Sequence, residues 1–230
     1  MKELIKSFLS QEAINKFYHL PKAVLANIIY GFPTRKLKVI GVTGTDGKTT
    51  TVNMIYRILK AAGKKVSMVS TINAVVGGKA MDTGFHVTSP DPFFVQKLAS
   101  QSVDNGDEYL VLEVTSHAID QYRFWGINFD IGVITNITHE HLDYHKTFEN
   151  YFKTKLKLIK KAKFALINQV VKEFRDLPAG RQGFGEIKGK LFSFGLTKGD
   201  FNQKELKLKL QVPGDYNVEN ALAVLGVAFV

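Results

Sequence analysis

The stretch Val39-Ile40-Gly41-Val42-Thr43-Gly44-Thr45-Asp46-Gly47-Lys48-Thr49-Thr50-Thr51 decides the fold. An apolar run with strand composition breaks into a glycine-rich turn, passes through Lys-Thr-Thr and continues in a helical pattern. Strand, tight turn and helix in that order build a phosphate-binding loop. The glycines let backbone N–H groups close around phosphate oxygens, and the helix presents its positive N-terminal end. In such a loop Lys48 reaches the terminal phosphates and the Thr49 hydroxyl sits on a magnesium ion. The spacing is a variant. The usual first glycine would fall at residue 42, which is Val, so the pattern here is Gly44-x-x-Gly47-Lys48-Thr49. The alternative is a plain strand–turn–helix corner that holds no ligand, and the rest of the chain has to decide between them.

Outward from the loop, strands and helices alternate. Leu37–Val42 reads as a strand, Thr49–Ala62 as a helix closed by Gly63, and Lys65–Ser70 as a second strand. Within Ile72–Phe85, Gly77-Gly78 signals a hairpin. Asp91–Val103 reads as a helix, Tyr109–Val114 and Asp130–Thr135 as buried strands, Phe148–Ala162 as a helix and Phe164–Asn168 as a strand. Residues 169–190 carry no clear pattern, and Leu177-Pro178-Ala179-Gly180-Arg181-Gln182-Gly183 is loop-like. Asp215–Val230 is helical and apolar. Residues 1–36 read as one or two short helices and a turn at Tyr30-Gly31-Phe32-Pro33-Thr34, too little to fold alone. The alternation predicts an α/β domain of three layers, with helices on both faces of a mostly parallel sheet.

Composition narrows the function classes. The 230 residues are 45% hydrophobic and 23% charged, the balance of a globular domain. With no cysteine, disulfides and thiolate metal sites are excluded, which suits a reducing, cytoplasmic setting. Neither Met1–Ser10 nor the apolar patch Leu20–Phe32 has the length of a signal or membrane segment, so no membrane partner is expected. A net charge of +10 suits nucleic acid, a membrane surface or an acidic small molecule. No arginine-rich or aromatic-interleaved pattern points to nucleic acid. The lysines of Lys153–Lys163 and Lys204–Lys209 read as the solvated faces of a helix and a strand.

In open parallel sheets, ligands bind beyond the carboxyl ends of the strands. The first such end is the loop. The second closes Tyr109-Leu110-Val111-Leu112-Glu113-Val114-Thr115-Ser116-His117, where an apolar run ends in a carboxylate. Burying Glu113 unpaired would cost several kcal/mol. Either a magnesium ion beside ATP or a nearby Lys or Arg would offset that. The third, Thr135-Asn136, runs into Ile137-Thr138-His139-Glu140-His141-Leu142-Asp143-Tyr144-His145, whose density of imidazoles and acids is metal-like. Imidazole suits zinc, but an ATP loop in the same chain favours magnesium. For His139 and Glu140 the plainer reading is hydrogen-bonded loop residues. On the helix Phe148–Ala162, Phe148, Tyr151, Phe152, Leu156, Leu158, Ile159 and Ala162 share one face, and Lys155 falls in the middle of it. A lysine there is neutral, paired, modified or snorkelling. A neutral amine near a metal can take up CO2 as a carbamate, which turns a buried cation into an oxygen ligand.

These residues resemble the Mur ligase (muramoyl-peptide ligase) family, nearest its branch that adds the third amino acid to UDP-N-acetylmuramoyl-dipeptide. The resemblance covers roughly residues 38–168 and 212–225. It rests on Gly-Val-Thr-Gly-Thr-Asp-Gly-Lys-Thr-Thr at 41–50, Thr-Ser-Pro-Asp-Pro at 88–92 and Leu-Glu-Val-Thr-Ser-His-Ala at 112–118. Thr-Asn-Ile-Thr-His-Glu-His-Leu-Asp-Tyr-His at 135–145 and Pro-Gly-Asp-Tyr-Asn-Val-Glu-Asn-Ala at 213–221 complete it. It implies that Gly44, Thr45, Asp46, Gly47, Lys48, Thr49 and Thr50 cradle ATP, with Asn217 and above all Asn220 at the nucleotide. It implies Thr49, Glu113 and His141 as magnesium ligands and Lys155, as a carbamate, supporting a second magnesium. Lys48, His141 and Lys155 would serve the chemistry. Thr88, Ser89, Thr115, Ser116, Gln121 and Arg123 match positions at the UDP-muramoyl substrate.

The implied reaction is ATP-dependent amide-bond formation in peptidoglycan precursor synthesis. The substrate carboxylate is phosphorylated to an acyl phosphate, a free amino acid attacks, and phosphate leaves. In the family's terms, residues 37–230 are the central ATP-binding domain and residues 1–36 a reduced UDP-binding segment. The carboxy-terminal domain with its Asn-Pro-Arg-type motif is expected to be absent. Asp46 departs from the family's usual Asn. A non-catalytic or split ATP-binding module, and a folylpolyglutamate or cyanophycin synthetase-like ligase, are the alternatives.

Overall fold

Nine strands form one sheet in a computed structural model that describes residues 10–82, 90–138, 140–171 and 187–230. They are β1 (Lys38–Thr43), β2 (Val66–Val69), β3 (Asn73–Val76), β4 (Lys79–Asp82), β5 (Tyr109–Glu113), β6 (Ile131–Ile134), β7 (Phe164–Asn168), β8 (Lys190–Gly195) and β9 (Phe201–Asn202). The order is β4-β3-β2-β5-β1-β6-β7-β8-β9. All neighbours are parallel except β2–β3 and β3–β4, so a hairpin closes one edge of a parallel sheet. The hairpin turns at Gly77 and Gly78, both at positive φ (55° and 76°), as a two-residue turn requires.

Connectivity places the site. The chain leaves β1 towards β2, returns to β5 beside β1, then crosses to β6 on the other flank. The carboxyl ends of β5, β1 and β6 therefore open on one crevice, where the strand order reverses. Register aligns Val42 with Glu113 and Thr43 with Ile134, so three loops start at one level.

The helices are α1 (Gln11–Ile14), α2 (Leu20–Ile29), α3 (Lys48–Ala61), α4 (Pro92–Asp104), α5 (Ser116–Asp120), α6 (Leu142–His145), α7 (Phe148–Lys160), α8 (Gln203–Leu206) and α9 (Asp215–Phe229). Alternation along β1 sends Ile40 and Val42 to one face and Val39 to the other. On the first face α3 (Val52, Ile55) and α9 (Leu222, Ala223, Val227) pack with Val133 and Leu166. On the second, α4 brings Val95, Leu98 and Ala99 against Leu110 and Leu112. There α7 lays Phe152, Leu156 and Ile159 on Ile134, Ala165 and Ile167. This is the expected three-layer arrangement. No helix among the described residues is long and apolar enough to cross a membrane.

A π-helical turn, Asn15–His19, joins α1 to α2, and a 3-10 turn, Pro33–Lys36, leads into β1. This N-terminal segment docks on the sheet domain. Asn27 donates to the Trp125 carbonyl (2.8 Å), Asn15 to Asp120 (2.6 Å), and Lys22 pairs with Asp91.

Three expectations need correction. β1 runs one residue later than Leu37–Val42, ending at Thr43. Residues 204–209 are not a strand. α8 ends at Lys207 in the left-handed region (φ 49°), and the Gln203 amide then takes both backbone groups of Leu208 (2.9 Å each) in place of a ladder partner. β8 and β9, for which no element was expected, extend the sheet past β7. The loop-like stretch 177–183 lies outside the described residues.

Candidate active site

The loop after β1 is built as its composition demands. Gly47 sits at positive φ (77°) immediately before α3, whose first residue is Lys48. A side chain at Gly44 would put its Cβ 1.8 Å from Thr135 Oγ1, so only glycine lets the loop lie against the end of β6. Asn136 Oδ1 accepts from the N–H groups of Thr45 (3.0 Å) and Asp46 (2.8 Å), and Thr135 Oγ1 donates to the Asp46 carbonyl (2.7 Å). Lys48 Nζ folds back onto the Thr45 carbonyl at 2.6 Å. Thr50 is exposed on the first turn of α3. From α9, Asn220 Oδ1 lies beside Gly47 and accepts from the Thr51 hydroxyl (3.2 Å). Asn217, buried in the first turn of α9, donates to the Pro213 carbonyl (2.9 Å).

At the end of β5 the buried Glu113 carboxylate accepts from the Thr49 hydroxyl (2.8 Å) and from the Thr71 N–H (3.1 Å). The Thr71 hydroxyl also donates to it (3.3 Å). An acid beside a threonine hydroxyl is a hard, all-oxygen donor pair, which fits magnesium better than zinc. Among the described residues no three or more His, Cys, Asp or Glu side chains gather as a metal-holding group. Of the stretch 139–145, His139 lies outside the described residues.

Lys155 is 2% exposed, and its Nζ donates to the Gly44 carbonyl at 2.6 Å. The helical period placed it correctly inside the apolar face, and it does not snorkel. Burial, helped by the Lys48 charge, pulls its pKa down to about 7 against the opposing pull of Glu140 and Asp46. At neutral pH much of this amine is uncharged, the form that reacts with CO2.

His141, at φ 54°, opens α6, with its Nε2 3.6 Å from Glu140. Its ring meets that of His117 (centroids 4.9 Å apart), and His117 meets Tyr144 (4.2 Å) and His145 (5.6 Å). Burial lowers the pKa of His117 and takes that of His145 down to about 4, so both imidazoles are neutral near pH 7. Thr115 caps α5 by accepting from the Ala118 N–H (3.3 Å), and the buried Ser116 hydroxyl has no hydrogen-bond partner among the described residues. Arg123 clasps Gln121 Oε1 through Nε (3.0 Å) and Nη2 (2.7 Å). Thr88 and Ser89 lie outside the described residues.

Glu113, Thr49, Lys48 and Lys155 thus converge on the loop, while Thr115, Ser116, Gln121 and Arg123 lie at α5 and the turn after it. Four participants went unassigned in the sequence: Thr71, Thr135, Asn136 and Tyr151. Asn136 had a visible signal, since it follows a buried strand at the carboxyl edge.

With this geometry in place, comparison with known proteins is decisive. The chain matches the Mur ligase middle domain over residues 42–228.

The chain belongs to the Mur ligase family.

It is 38% identical over 219 residues to UDP-N-acetylmuramoyl-L-alanyl-D-glutamate--2,6-diaminopimelate ligase 1 of Clostridium acetobutylicum, covering 87% of this chain and 44% of that protein. The corresponding ligase of Clostridium tetani is 39% identical over 219 residues, again with 87% and 44% covered. The chain therefore spans less than half the length of these relatives. Among solved structures, a UDP-N-acetylmuramoyl-L-alanyl-D-glutamate--2,6-diaminopimelate ligase superposes with a TM-score of 0.70 at 22% identity, over 96% of this chain and 48% of that one. Escherichia coli FolC in complex with DHPP and ADP gives 0.65 at 20% identity, over 92% and 58%. These likenesses show a shared fold, the mostly parallel α/β sheet described above.

Proposed function

We propose that this chain is the ATP-binding part of a ligase that forms an amide bond between the carboxylate of UDP-N-acetylmuramoyl-L-alanyl-D-glutamate and an amino group of 2,6-diaminopimelate. The observation that carries the reading is the convergence of the phosphate loop, the Glu113–Thr49 pair and the buried Lys155 on one crevice. The names of the relatives at 38% and 39% identity supply the substrate class. In this reading residues 37–230 are the ATP-binding unit, residues 1–36 stand where the family binds UDP, and the protein works in the cytoplasm.

Each residue then has a task. The loop N–H groups and the first turn of α3 receive the phosphates of ATP. Lys48 leaves the Thr45 carbonyl and takes the terminal phosphate, where it offsets charge during transfer. Glu113, Thr49 and His141 would hold magnesium, which when bound neutralises phosphate charge and fixes its orientation. Lys155 takes up CO2 as its neutral amine attacks carbon, releases a proton and becomes an anionic carbamate suited to a second magnesium. Asn220, which accepts from the Thr51 hydroxyl and lies beside Gly47, would support the nucleotide. Gln121, Arg123, Thr115 and Ser116, with Thr88 and Ser89, would bind the muramoyl substrate. The substrate carboxylate attacks the terminal phosphorus and ADP leaves. The amine then displaces phosphate from the acyl phosphate, giving the amide.

The test is direct. The chain is incubated with ATP, magnesium, the UDP-muramoyl-dipeptide and diaminopimelate, and ADP and tripeptide are measured. The reading expects both products in equal amounts, and their loss in Lys48→Ala and Lys155→Ala. ATP binding without product would make the chain a nucleotide-binding module. Product with glutamate and a folate acceptor instead would move it to the folylpolyglutamate branch.

A further inference from the structure

We propose that Tyr151 is a positioning residue that clamps the phosphate loop to the lysine-bearing helix, so that loop and Lys155 are set as one unit. This rests on the nucleotide reading of the loop and adds a residue to it.

Tyr151 is fully buried on α7, one helical turn before Lys155. Its hydroxyl lies 3.0 Å from Thr45 Oγ1, in the middle of the loop. Thr45 Oγ1 already accepts from the Thr138 N–H (2.9 Å), so this one hydroxyl ties the loop to the segment after β6 as well as to α7. The face of the same ring lies under Lys155, with Nζ 4.6 Å from its centroid, and that Nζ donates to the Gly44 carbonyl. The ring also meets those of His145 (5.3 Å) and His141 (6.2 Å). One side chain therefore touches the loop hydroxyl, the loop-bound lysine and the His141 ring.

Packing alone does not ask for a phenol here. Phe148 and Phe152 fill the same apolar face of α7 with no hydroxyl. A buried hydroxyl without a partner costs free energy, so its presence is accounted for by the bond it makes.

The experiment is a double-mutant cycle on the full 230-residue chain. ATP affinity in magnesium buffer is measured by titration calorimetry for the wild type, Tyr151→Phe, Thr45→Val and the double variant, with thermal unfolding of each as a check on folding. Tyr151→Phe keeps the ring, so a packing role alone leaves ATP affinity unchanged. The clamp predicts roughly fivefold to thirtyfold weaker ATP binding in Tyr151→Phe, with cooperative unfolding retained. It also predicts that the double variant binds no more weakly than Thr45→Val alone, because Thr45→Val already removes the Tyr151–Thr45 bond that Tyr151→Phe would break. Wild-type affinity in Tyr151→Phe, or losses that multiply in the double variant, would overturn it. A wild-type chain that does not bind ATP would instead remove the nucleotide reading, and this inference with it.

Discussion

Gly44→Ala puts the loop geometry to its hardest test. Gly44 has an ordinary negative φ, so the backbone tolerates alanine and only space forbids it. The new Cβ would stand 1.8 Å from Thr135 Oγ1 and 3.1 Å from Thr135 Cβ. Thr135 has to leave its rotamer, and in doing so it drops its 2.7 Å bond to the Asp46 carbonyl. Overpacking of this kind costs about 1–3 kcal/mol, and the buried hydrogen bond adds about 1 kcal/mol. The sum of roughly 2–4 kcal/mol lowers Tm by roughly 4–16 °C in a domain of this size. Thermal and urea unfolding read the stability, and ATP titration reads the loop. Adding Thr135→Ala removes the clashing oxygen but keeps the Cβ at 3.1 Å, so it should recover most of the overpacking share while leaving the hydrogen-bond share lost. A Gly44→Ala variant with wild-type Tm and ATP affinity would refute the reasoning. So would a double variant no more stable than Gly44→Ala.

Two further predictions concern protons. His145 is held at about 4 in the folded chain against 6.5 unfolded, so the unfolded state binds more protons between those values. Stability is therefore full above about pH 6.5 and falls as the pH drops towards 4; His145→Gln should flatten that part of a urea-midpoint profile, and an unchanged slope would contradict the assignment. Lys155 is held at about 7 against 10.5 unfolded, so its burial cost is complete below pH 7 and fades as pH rises to about 10. Lys155→Met should accordingly be more resistant to urea than wild type at pH 6 and lose that advantage towards pH 10, while ligation is abolished; an advantage that grows with pH would be evidence against this.

Local chemistry made much of the fold legible. Gly44, Gly47 and Lys48 signalled the loop because each residue type is needed for a backbone or charge reason confined to a few neighbours. Gly77-Gly78 signalled the hairpin in the same way, and the 3.6-residue period alone put Lys155 on the buried face of α7. Long-range partners were hidden. Asn136 and Thr135 pin a loop some 90 residues earlier in the chain, and the Tyr151 hydroxyl finds Thr45 across 106 residues. Periodicity reports that a side chain is buried, not which polar atom it meets, so Tyr151 read as one more apolar-face residue. β8 went unread because residues 190–195 follow a patternless stretch and its core contribution is chiefly Phe194. Residues 204–209 looked strand-like, but a single Gln203 amide captured the backbone groups a ladder would have used.

The central claim is that Lys48, Thr49 and Glu113 make a magnesium-dependent ATP site at the switch point of the sheet. Titration of the full chain with ATP, with and without magnesium, tests it most directly. The predicted result is one ATP per chain, bound more tightly with magnesium. Lys48→Ala should weaken binding in both conditions, and Glu113→Gln should abolish only the gain from magnesium. Absence of binding, or binding indifferent to both substitutions, would contradict the claim.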